Sequence, residues 1–476
     1  MKFSIVHSIK KRSDCVVFIF CDNYKAEIKK IQKNMKIKFP ASFLTDFNGN
    51  SIKTVYLDKL AIILTGMGND CSLDQYAQTS STLGRYLLKH NFKHISLVCS
   101  STDIDTIRII IENLILSLYE YTYYKTNKKP ITIKQFDFVV ANSKKLINLR
   151  NSIILAKNAN LARDYINAPA NDCNSTWFLG EMKQTAPKEL KFKVYDEKQL
   201  QKMGMNLILA VNQGSKYPAY LVEIHYGNTK DRPIVLVGKG VMFDSGGYNL
   251  KRGDFADMKT DMGGAAIIFE TMKTLVETGS QGSYIALLPL VENMINEHAT
   301  RPGDIIKTFS GTKKSRTIEI VDTDAEGRLI NADCITYSNK FNPKIIINVA
   351  TLTGSAEKIL DGQGTVFMTN NNKYSSELMN ISKKTNEKVW EMPMWRNFME
   401  LTKSNIADVR NVAESGHGAG AIIAGCFLYN FVSKNVGFIH CDIAGVTFIK
   451  NANKYRSTGA TGDFVRTLYY YLKSLY

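Results

Sequence analysis

Two acidic side chains, Asp324 and Glu326, lie two residues apart in the segment Val321–Leu329, VDTDAEGRL. If the apolar run before them, Ile318–Val321, is a strand, residues two apart point to the same side, and both carboxylates would face one site. Two carboxylates that close together cannot both stay ionised in a poorly solvated place without a counter-charge. A divalent cation is the usual counter-charge, and oxygen ligands suit Mg²⁺, Mn²⁺ or Zn²⁺.

A second acidic segment, Gly238–Ala265, is rich in glycine and follows the apolar run Pro233–Val237. It contains Asp244 and Asp261, which together with the first pair would give enough carboxylates for two ions. Two ions about 3.5–4 Å apart can hold a water-derived nucleophile and polarise a carbonyl group together. A D-x-E pattern alone is also common on solvated surfaces, so the spacing by itself leaves both interpretations open.

The elements that would position these residues are typical of α/β proteins, because short apolar runs alternate with segments of helical length and periodicity. Candidate strands are Val16–Phe20, Leu60–Leu64, Ile95–Cys99, Phe136–Ala141, Pro233–Val237, Ile318–Val321 and Ile345–Val349. Candidate helices are Leu73–His90, Thr106–Tyr119 and Ser143–Ile166. We therefore expect an α/β fold of two domains, each a mostly parallel or mixed sheet flanked by helices. We place the domain boundary near residue 150, so that residues 1–150 form one domain and residues 151–476, which contain both acidic segments, form the other.

The composition favours a globular protein, since 44% of the 476 residues are hydrophobic and 22% are charged. We expect no membrane span, because no apolar stretch reaches about 18 residues. The eight cysteines are scattered without a C-x-x-C pair, which predicts free buried thiols and a cytoplasmic location. The motifs H-E-x-x-H and G-x-S-x-G do not occur in the sequence, which excludes the commonest zinc-protease and α/β-hydrolase signatures.

The segment VDTDAEGRL resembles the N-T-D-A-E-G-R-L signature of the leucyl aminopeptidase (cytosol aminopeptidase) family, peptidase family M17. The segments GKGVMFDSGGYNLK and KTDMGGA resemble the other metal-site segments of that family, in the same order. Further segments that fit the family are Asn160–Asn171, Glu292–Asp304, Ala350–Gly354, Ile406–Val412, Gly418–Ala424, His440–Gly445 and Gly459–Gly462. The resemblance covers roughly residues 155–476, and the first domain matches the family only in its position and general pattern. It implies a variable N-terminal domain at residues 1–150 and a catalytic di-metal aminopeptidase domain at residues 151–476.

The resemblance implies an enzyme that removes N-terminal amino acids, with a Leu-like preference, from peptides through a hydroxide that bridges two metals. The metals would be Zn²⁺ or Mn²⁺, or Mg²⁺. The tighter site would take Lys239, Asp244, Asp261 and Glu326. The second site would take Asp244, Asp324 and Glu326. The expected assembly is a homohexamer.

The resemblance also gives Lys251 and Arg328 catalytic roles. Lys251 would stabilise the developing oxyanion. Arg328 would hold a bicarbonate ion as the general base. The positions that match the substrate pocket are Met258, Thr351, Leu352 and Gly354.

The chain departs from the family pattern at three places. Asp322 replaces the usual asparagine, which adds a negative charge that could raise metal affinity or favour cationic side chains. Asn331 replaces an apolar residue, and we expect it on a helix surface. The segment Thr312–Arg316 resembles an insertion in a hairpin before the signature.

Two other functions stay open at this point. The net charge is +17, and residues 1–150 hold 23 Lys and Arg against 12 Asp and Glu, a net +11. That excess could support an additional DNA-binding architectural role. Carboxylate clusters also serve two-metal phosphoesterases.

Overall fold

The structure is a computed structural model that describes residues 1–21, 24–47, 49, 51–99, 101, 103–128, 130–140, 146–228, 231–414 and 416–476. The chain divides into two compact units. The first comprises Met1–Lys157, Lys384–Asn386 and Asn451–Ser457, and the second Asn158–Lys383, Glu387–Lys450 and Thr458–Tyr476. The roles given to residues 1–150 and 151–476 stay predictions. Each helix in the described part is too short or too polar to cross a membrane.

The first unit contains one sheet with helices on both faces. Its strands are β1 (Lys2–Val6), β2 (Cys15–Phe20), β3 (Ile52–Leu57), β4 (Leu60–Gly66), β5 (His94–Cys99) and β6 (Gln135–Val139). Its helices are α1 (Tyr24–Met35), α2 (Ala41–Asp46), α3 (Leu73–Leu88) and α4 (Ile104–Ser117), and α5 (Leu146–Asn167) begins in this unit. The strand order is β1-β6-β5-β2-β4-β3, in which β3 pairs antiparallel with β4 and the other neighbours are parallel.

Strand β2 is apolar and fully buried because the sheet is covered on both faces. Its residues alternate between two cores. Val17 and Ile19 pack in the core that includes residues of α3 and α4. Val16 and Phe18 pack in the core that includes residues of α1. This alternation is the period-2 geometry of a strand.

The predicted strands and helices of the first unit are confirmed, with small shifts at their ends. The strand predicted at Phe136–Ala141 ends at Val139, and Ala141 lies outside the described residues. The helix predicted at Ser143–Ile166 begins at Leu146 and ends at Asn167, and its first three predicted residues also lie outside the described part.

The prediction that the cysteines are all free thiols is wrong for one pair, because Cys21 and Cys71 form a disulfide. Cys21 follows the last residue of β2 and Cys71 follows β4 along the chain. These two strands are parallel neighbours, with Phe20 opposite Gly66, so their carboxyl ends meet at one edge of the sheet. Tertiary pairing therefore joins two cysteines whose separation of 50 residues gave no signal.

The second unit contains the larger sheet. Its strands are β7 (Lys191–Tyr195), β8 (Tyr220–Gly227), β9 (Ile234–Gly238), β10 (Gly240–Asp244), β11 (Ser283–Asn293), β12 (Ile305–Lys307), β13 (Thr317–Glu319), β14 (Ile345–Ala350), β15 (Thr365–Thr369), β16 (Val389–Glu391), β17 (Val409–Arg410), β18 (Gly437–Asp442), β19 (Phe448–Ile449) and β20 (Gly459–Ala460). Its helices after α5 are α6 (Ser175–Thr185), α7 (Glu197–Met203), α8 (Asn206–Asn212), α9 (Gly263–Glu277), α10 (Gly327–Ser338), α11 (Gly354–Ile359), α12 (Asn372–Thr385), α13 (Arg396–Glu400), α14 (Gly420–Tyr429), α15 (Ala444–Thr447) and α16 (Val465–Ser474). Short 3-10 turns cover Ala256–Thr260 and Asn339–Phe341.

The main sheet has the order β16-β15-β18-β14-β9-β11-β8-β7, with β10 paired to β11. Strands β9, β11, β14 and β18 are parallel along this path, and β10 is parallel to β11. The carboxyl ends of these strands therefore meet at one edge, where open α/β sheets bind ligands. The expected fold of helix-flanked, mixed sheets is confirmed.

One predicted strand of this unit is wrong at its end. Strand β13 stops at Glu319, whereas the prediction extended it through Val321. Residues 321–326 form turn and irregular structure before α10 begins at Gly327. The predicted strands Pro233–Val237 and Ile345–Val349 are confirmed as β9 and β14.

Candidate metal centre and catalytic site

Three buried carboxylates converge at this edge of the sheet. Asp244 is the last residue of β10, Asp261 follows the 3-10 turn before α9, and Glu326 precedes α10. Each offers an oxygen atom within 4.8 Å of the others. Burial raises the pKa of Asp244 above its usual value and the pKa of Asp261 well above it, and their negative neighbours add to the effect. The cluster therefore requires positive charge.

Lys239 supplies part of that charge from the position directly after β9. Its Nζ lies 2.6 Å from both carboxylate oxygens of Asp261 and 2.9 Å from Oε1 of Glu326. Burial alone would lower the pKa of Lys239, but the carboxylates of Asp261, Glu326 and Asp244 outweigh burial and raise that pKa. The three negative charges that attract this amine would also attract a divalent cation.

Asp324 and Lys251 lie at the more exposed side of the cluster. The side chain of Asp324 is 32% exposed, against 3% for Asp244. The ammonium of Lys251 contacts Oδ1 of Asp324 and lies 2.7 Å from Oδ2 of Asp244. Burial and the neighbouring Asp244 raise the pKa of Asp324 to about 6. Asp324 therefore joins the site through Lys251, beside the three buried acids.

The two acids of the signature do not reach the site along an extended strand, as the spacing argument required. They lie in a turn in which Oδ1 of Asp322 accepts a 2.8 Å hydrogen bond from the N–H of Asp324, and the N–H of Ala325 donates to the carbonyl of Asp322. Asx hydrogen bonds of this kind favour turns over strands. This turn leads directly into α10, and it therefore sets the directions of the side chains of Asp324 and Glu326.

Arg328 lies in the first turn of α10 and is buried. Its Nη1 donates a 2.7 Å hydrogen bond to the carbonyl of Asn411. Its Nε has no hydrogen-bond partner among the residues that the structure describes. Burial lowers the pKa of Arg328, whereas Glu326, Asp442 and Asp322 oppose that shift. A buried guanidinium with a donor to spare is suited to binding a small anion.

Two asparagines that the sequence analysis missed hold the acidic segments together. Asn293, at the end of β11, donates from Nδ2 to Oδ1 of Asp244 at 2.8 Å and to the carbonyl of Thr323 at 3.0 Å. Asn411 accepts from the N–H of Val321 at 2.8 Å and donates to the carbonyl of Asp322 at 2.6 Å. Both asparagines lie within segments that fit the family, and this resemblance is the sequence signal that could have identified them.

The four predicted pocket residues lie in two segments beside the carboxylates. Thr351 is buried and its hydroxyl donates to Oδ1 of Asp261 at 2.8 Å. Met258 lies half-buried in the 3-10 turn before Asp261. Leu352 is half-buried and Gly354 is exposed at the start of α11.

Asn331 is not on a helix surface, as its polarity suggested. It lies fully buried within α10, and neither amide atom has a hydrogen-bond partner in the part of the chain that the structure describes. The insertion Thr312–Arg316 does lie between the antiparallel strands β12 and β13.

The donor set fits divalent cations. Carboxylate oxygens are hard ligands, and Lys239 could add a nitrogen once its proton is displaced. Four acids and one amine are thus gathered from three segments: Lys239, Asp244, Asp261, Asp324 and Glu326.

Comparisons with known proteins show which family the chain is similar to. A family model described as the catalytic domain of the cytosol aminopeptidase family matches residues 160–469. The cytosol aminopeptidase of Haemophilus influenzae is 34% identical over 444 residues, which cover 90% of this chain and 87% of the relative. The probable cytosol aminopeptidase of Haemophilus ducreyi is 39% identical over 379 residues, covering 77% of this chain and 74% of the relative.

Among solved structures, the bottromycin maturation enzyme BotP in complex with Mn is similar, with a TM-score of 0.85 at 25% identity. The match covers 97% of this chain and 99% of that chain. These similarities favour peptidase chemistry with metal ions. They give no support to the alternative of an additional DNA-binding role.

Proposed function

This chain belongs to the cytosol aminopeptidase family and is a metal-dependent aminopeptidase, and from that premise we propose how its site removes amino-terminal residues from peptides. The proposal assigns Lys239, Asp244, Asp261 and Glu326 to one cation. It assigns Asp244, Asp324 and Glu326 to a second. The observation that carries it is the convergence of three buried carboxylates within 4.8 Å, two of them in contact with the amine of Lys239 and the third with that of Lys251.

Two divalent cations held there would supply an activated water molecule and polarise the scissile carbonyl. The difference in exposure between the acids supports two sites of unequal affinity, because Asp324 is the most exposed of them. Zn²⁺ and Mn²⁺, or Mg²⁺, are the ions of this proposal, and the Mn in the similar BotP structure supports Mn²⁺ as one of them.

Lys251 is proposed to stabilise the negative charge that develops on the carbonyl oxygen of the substrate. Its Nζ lies 2.7 Å from Oδ2 of Asp244, so it is fixed at the edge of the cluster. Burial by itself would lower the pKa of Lys251, but Asp244 and Glu326 raise it, so the side chain carries the positive charge that this role needs.

Arg328 is proposed to hold bicarbonate as the general base. Support comes from its buried Nε, which has no partner among the described residues, and from the carbonyl of Asn411 that fixes Nη1. A bound bicarbonate would accept the proton of the nucleophilic water and return it to the leaving amine.

The Leu-like preference is assigned to a pocket formed by Met258, Thr351, Leu352 and Gly354. An apolar pocket discriminates by only about 1–3 kcal/mol per methylene, so we expect a graded preference among apolar residues. We further propose a location in the cytoplasm, in line with the name cytosol aminopeptidase that its relatives carry. The assembly that we propose is a homohexamer. Light scattering of the purified full chain would give the assembly mass.

A panel of aminoacyl amides, assayed with Zn²⁺, Mn²⁺ or Mg²⁺, tests the proposal. We expect metal-dependent release of free amino acids, fastest for Leu-like residues, and none from N-acetylated analogues. Asp324→Ala should reduce the rate at a given metal concentration. Asp254→Ala is the matched control, since Asp254 is an exposed acid of the segment Gly238–Ala265 that lies outside the proposed ligand set. An absence of metal-dependent release from every amide would refute the proposal.

A further inference from the structure

Asp442 lies next to the metal centre without belonging to the proposed ligand set. It is the last residue of β18, opposite Ala350 of the neighbouring strand β14, and it is fully buried. Its Oδ1 accepts hydrogen bonds from the N–H groups of Leu352 at 3.0 Å and Ala444 at 3.2 Å. Its Oδ2 accepts from the hydroxyl of Thr353 at 2.8 Å.

These bonds fix the loop that follows β14, residues 351–353, which we call the β14 loop. At its start, Thr351 makes two contacts with the proposed ligands. Its hydroxyl donates to Oδ1 of Asp261 at 2.8 Å, and its carbonyl accepts from Nζ of Lys239 at 2.9 Å. One buried carboxylate therefore determines where a second carboxylate and an amine are held.

The arrangement has a direct physical consequence for ligand geometry. A hydroxyl bonded to Oδ1 restricts rotation of the Asp261 carboxylate, whose two oxygens both lie 2.6 Å from Nζ of Lys239. The carbonyl of Thr351 likewise restricts the lysine amine. Such outer partners orient metal ligands, and their loss commonly costs about 10- to 100-fold in metal affinity.

We propose that Thr351 and Asp442 are positioning residues that act through the β14 loop to hold Asp261 and Lys239 in metal-binding geometry. This inference rests on the proposed function, because it takes these two residues as metal ligands. Here Thr351 helps to hold two proposed metal ligands, whereas the resemblance to the family placed it in the lining of the substrate pocket.

Titration of the metal-depleted full chain with Mn²⁺ alone, followed by calorimetry, tests the inference. Thr351→Val removes the hydroxyl donor at nearly constant volume and should raise the Kd of the tighter site about 10- to 100-fold. Thr351→Ser keeps the donor and should bind Mn²⁺ near the wild-type affinity. An unchanged Kd in Thr351→Val, with only KM for leucine amide increased, would overturn the inference.

A second pair of variants keeps the test independent of folding defects at position 351. Asp442→Asn keeps an oxygen atom that can accept a hydrogen bond from the N–H of Leu352 and an amide group that can hydrogen-bond with the hydroxyl of Thr353. Asp442→Ala removes both groups. We expect a weakened Mn²⁺ site in Asp442→Ala and recovery of most of the affinity in Asp442→Asn. Equal Mn²⁺ affinity in these two variants would contradict the inference.

The outcomes also separate this inference from the proposed function. If the wild-type chain neither binds Mn²⁺ nor hydrolyses aminoacyl amides, the proposed function fails. If the wild-type chain does both and Thr351→Val binds Mn²⁺ as tightly, only the positioning role fails. Thermal melting of each metal-depleted variant, compared with wild type, identifies any variant that is unfolded.

Discussion

Gly327 lies against the side chain of Lys239, at the point where the signature turn becomes α10. A Cβ atom added at Gly327 would lie 2.2 Å from Cε of Lys239 and 2.7 Å from its Nζ. A free lysine would move aside, but this amine is held by Asp261, Glu326 and the carbonyl of Thr351. The glycine therefore leaves the space that the lysine needs.

We expect Gly327→Ala to weaken the metal site because the new methyl group displaces Lys239. Helix propensity alone predicts the opposite sign for stability, since alanine is favoured over glycine in a helix by about 1 kcal/mol. The displaced amine leaves the buried acids without part of their counter-charge, which opposes that gain, and the variant should bind Mn²⁺ about 10- to 100-fold more weakly. Calorimetric titration measures the affinity, and wild-type affinity in a folded variant would exclude this steric role.

Asn331 is a second residue of note, because its polar side chain lies in a buried position. Its amide is fully buried in α10, without a hydrogen-bond partner among the described residues. Leaving a buried polar group unpaired costs about 1–3 kcal/mol.

We expect Asn331→Leu to increase the free energy of unfolding by about 1–2 kcal/mol, because an apolar side chain of similar size removes the unpaired amide. Urea unfolding of the two proteins under identical metal and salt conditions measures the difference. Asn331→Ala is the control, since it removes the amide but leaves a cavity, and it should gain less. A loss of stability in Asn331→Leu would indicate that the amide has a partner such as water.

At the scale of elements, α9 carries an acid and an amine into the core directly after the proposed metal ligand Asp261. Glu270 and Lys273 are both buried, and Nζ of Lys273 lies 3.0 Å from Oε1 of Glu270. Burial raises the pKa of Glu270 from 4.5 to about 7, because the lysine only partly offsets the cost of desolvation.

This shift predicts how stability depends on pH. A carboxyl with a raised folded-state pKa contributes stability that is fully present below pH 4.5 and is lost as pH rises through 7. Between these limits the loss is on the order of 3 kcal/mol. In Glu270→Gln this loss should be absent, so the stability of wild type relative to the variant should decrease from pH 4.5 to 8. Parallel stability curves for the two proteins in urea would contradict the prediction.

Strands that are buried on both faces were predictable from the sequence. Their continuous apolar runs, such as those of β2, β9 and β14, are typical of a parallel sheet that is covered by helices on both sides. The signature turn was not predictable from residue spacing. Asp322 closes it by accepting the N–H of Asp324, and β13 ends at Glu319, before the apolar residues Ile320 and Val321.

The candidate site was also predictable from the sequence only in part. The acids were singled out by their chemistry and spacing, and the lysines were found because their segment resembles the metal-site segments of the family. The supports Asn293, Asn411 and Asp442 were missed, because their roles depend on which strands are neighbours. Asn293 reaches Asp244 only because β10 pairs with β11, and Asp442 reaches the β14 loop only because β14 pairs with β18.

At the scale of the whole molecule, the two units differ in what stabilises them. The second unit contains the proposed catalytic residues and a large main sheet, whereas the first unit has a disulfide, Cys21–Cys71, that closes a loop of 50 residues. In the chain-entropy model, a cross-link over that length stabilises the folded state by about 4 kcal/mol. Reduction should therefore act on the first unit and leave the second unaffected.

We expect a reducing agent, or Cys71→Ser, to increase amide hydrogen exchange in strands β2 and β4 of the first unit, while exchange in β14 and β18 stays unchanged. The reason is that opening the cross-link increases the entropy of the unfolded first unit and so lowers its stability. Cys99→Ser is the matched control, because Cys99 is a free thiol at the end of β5 in the same sheet. A reducing agent should have no further effect on Cys71→Ser. Equal protection of β2 and β4 with and without the cross-link would show that the packing of this sheet alone stabilises the first unit, and faster exchange in β14 would show that the two units do not respond separately.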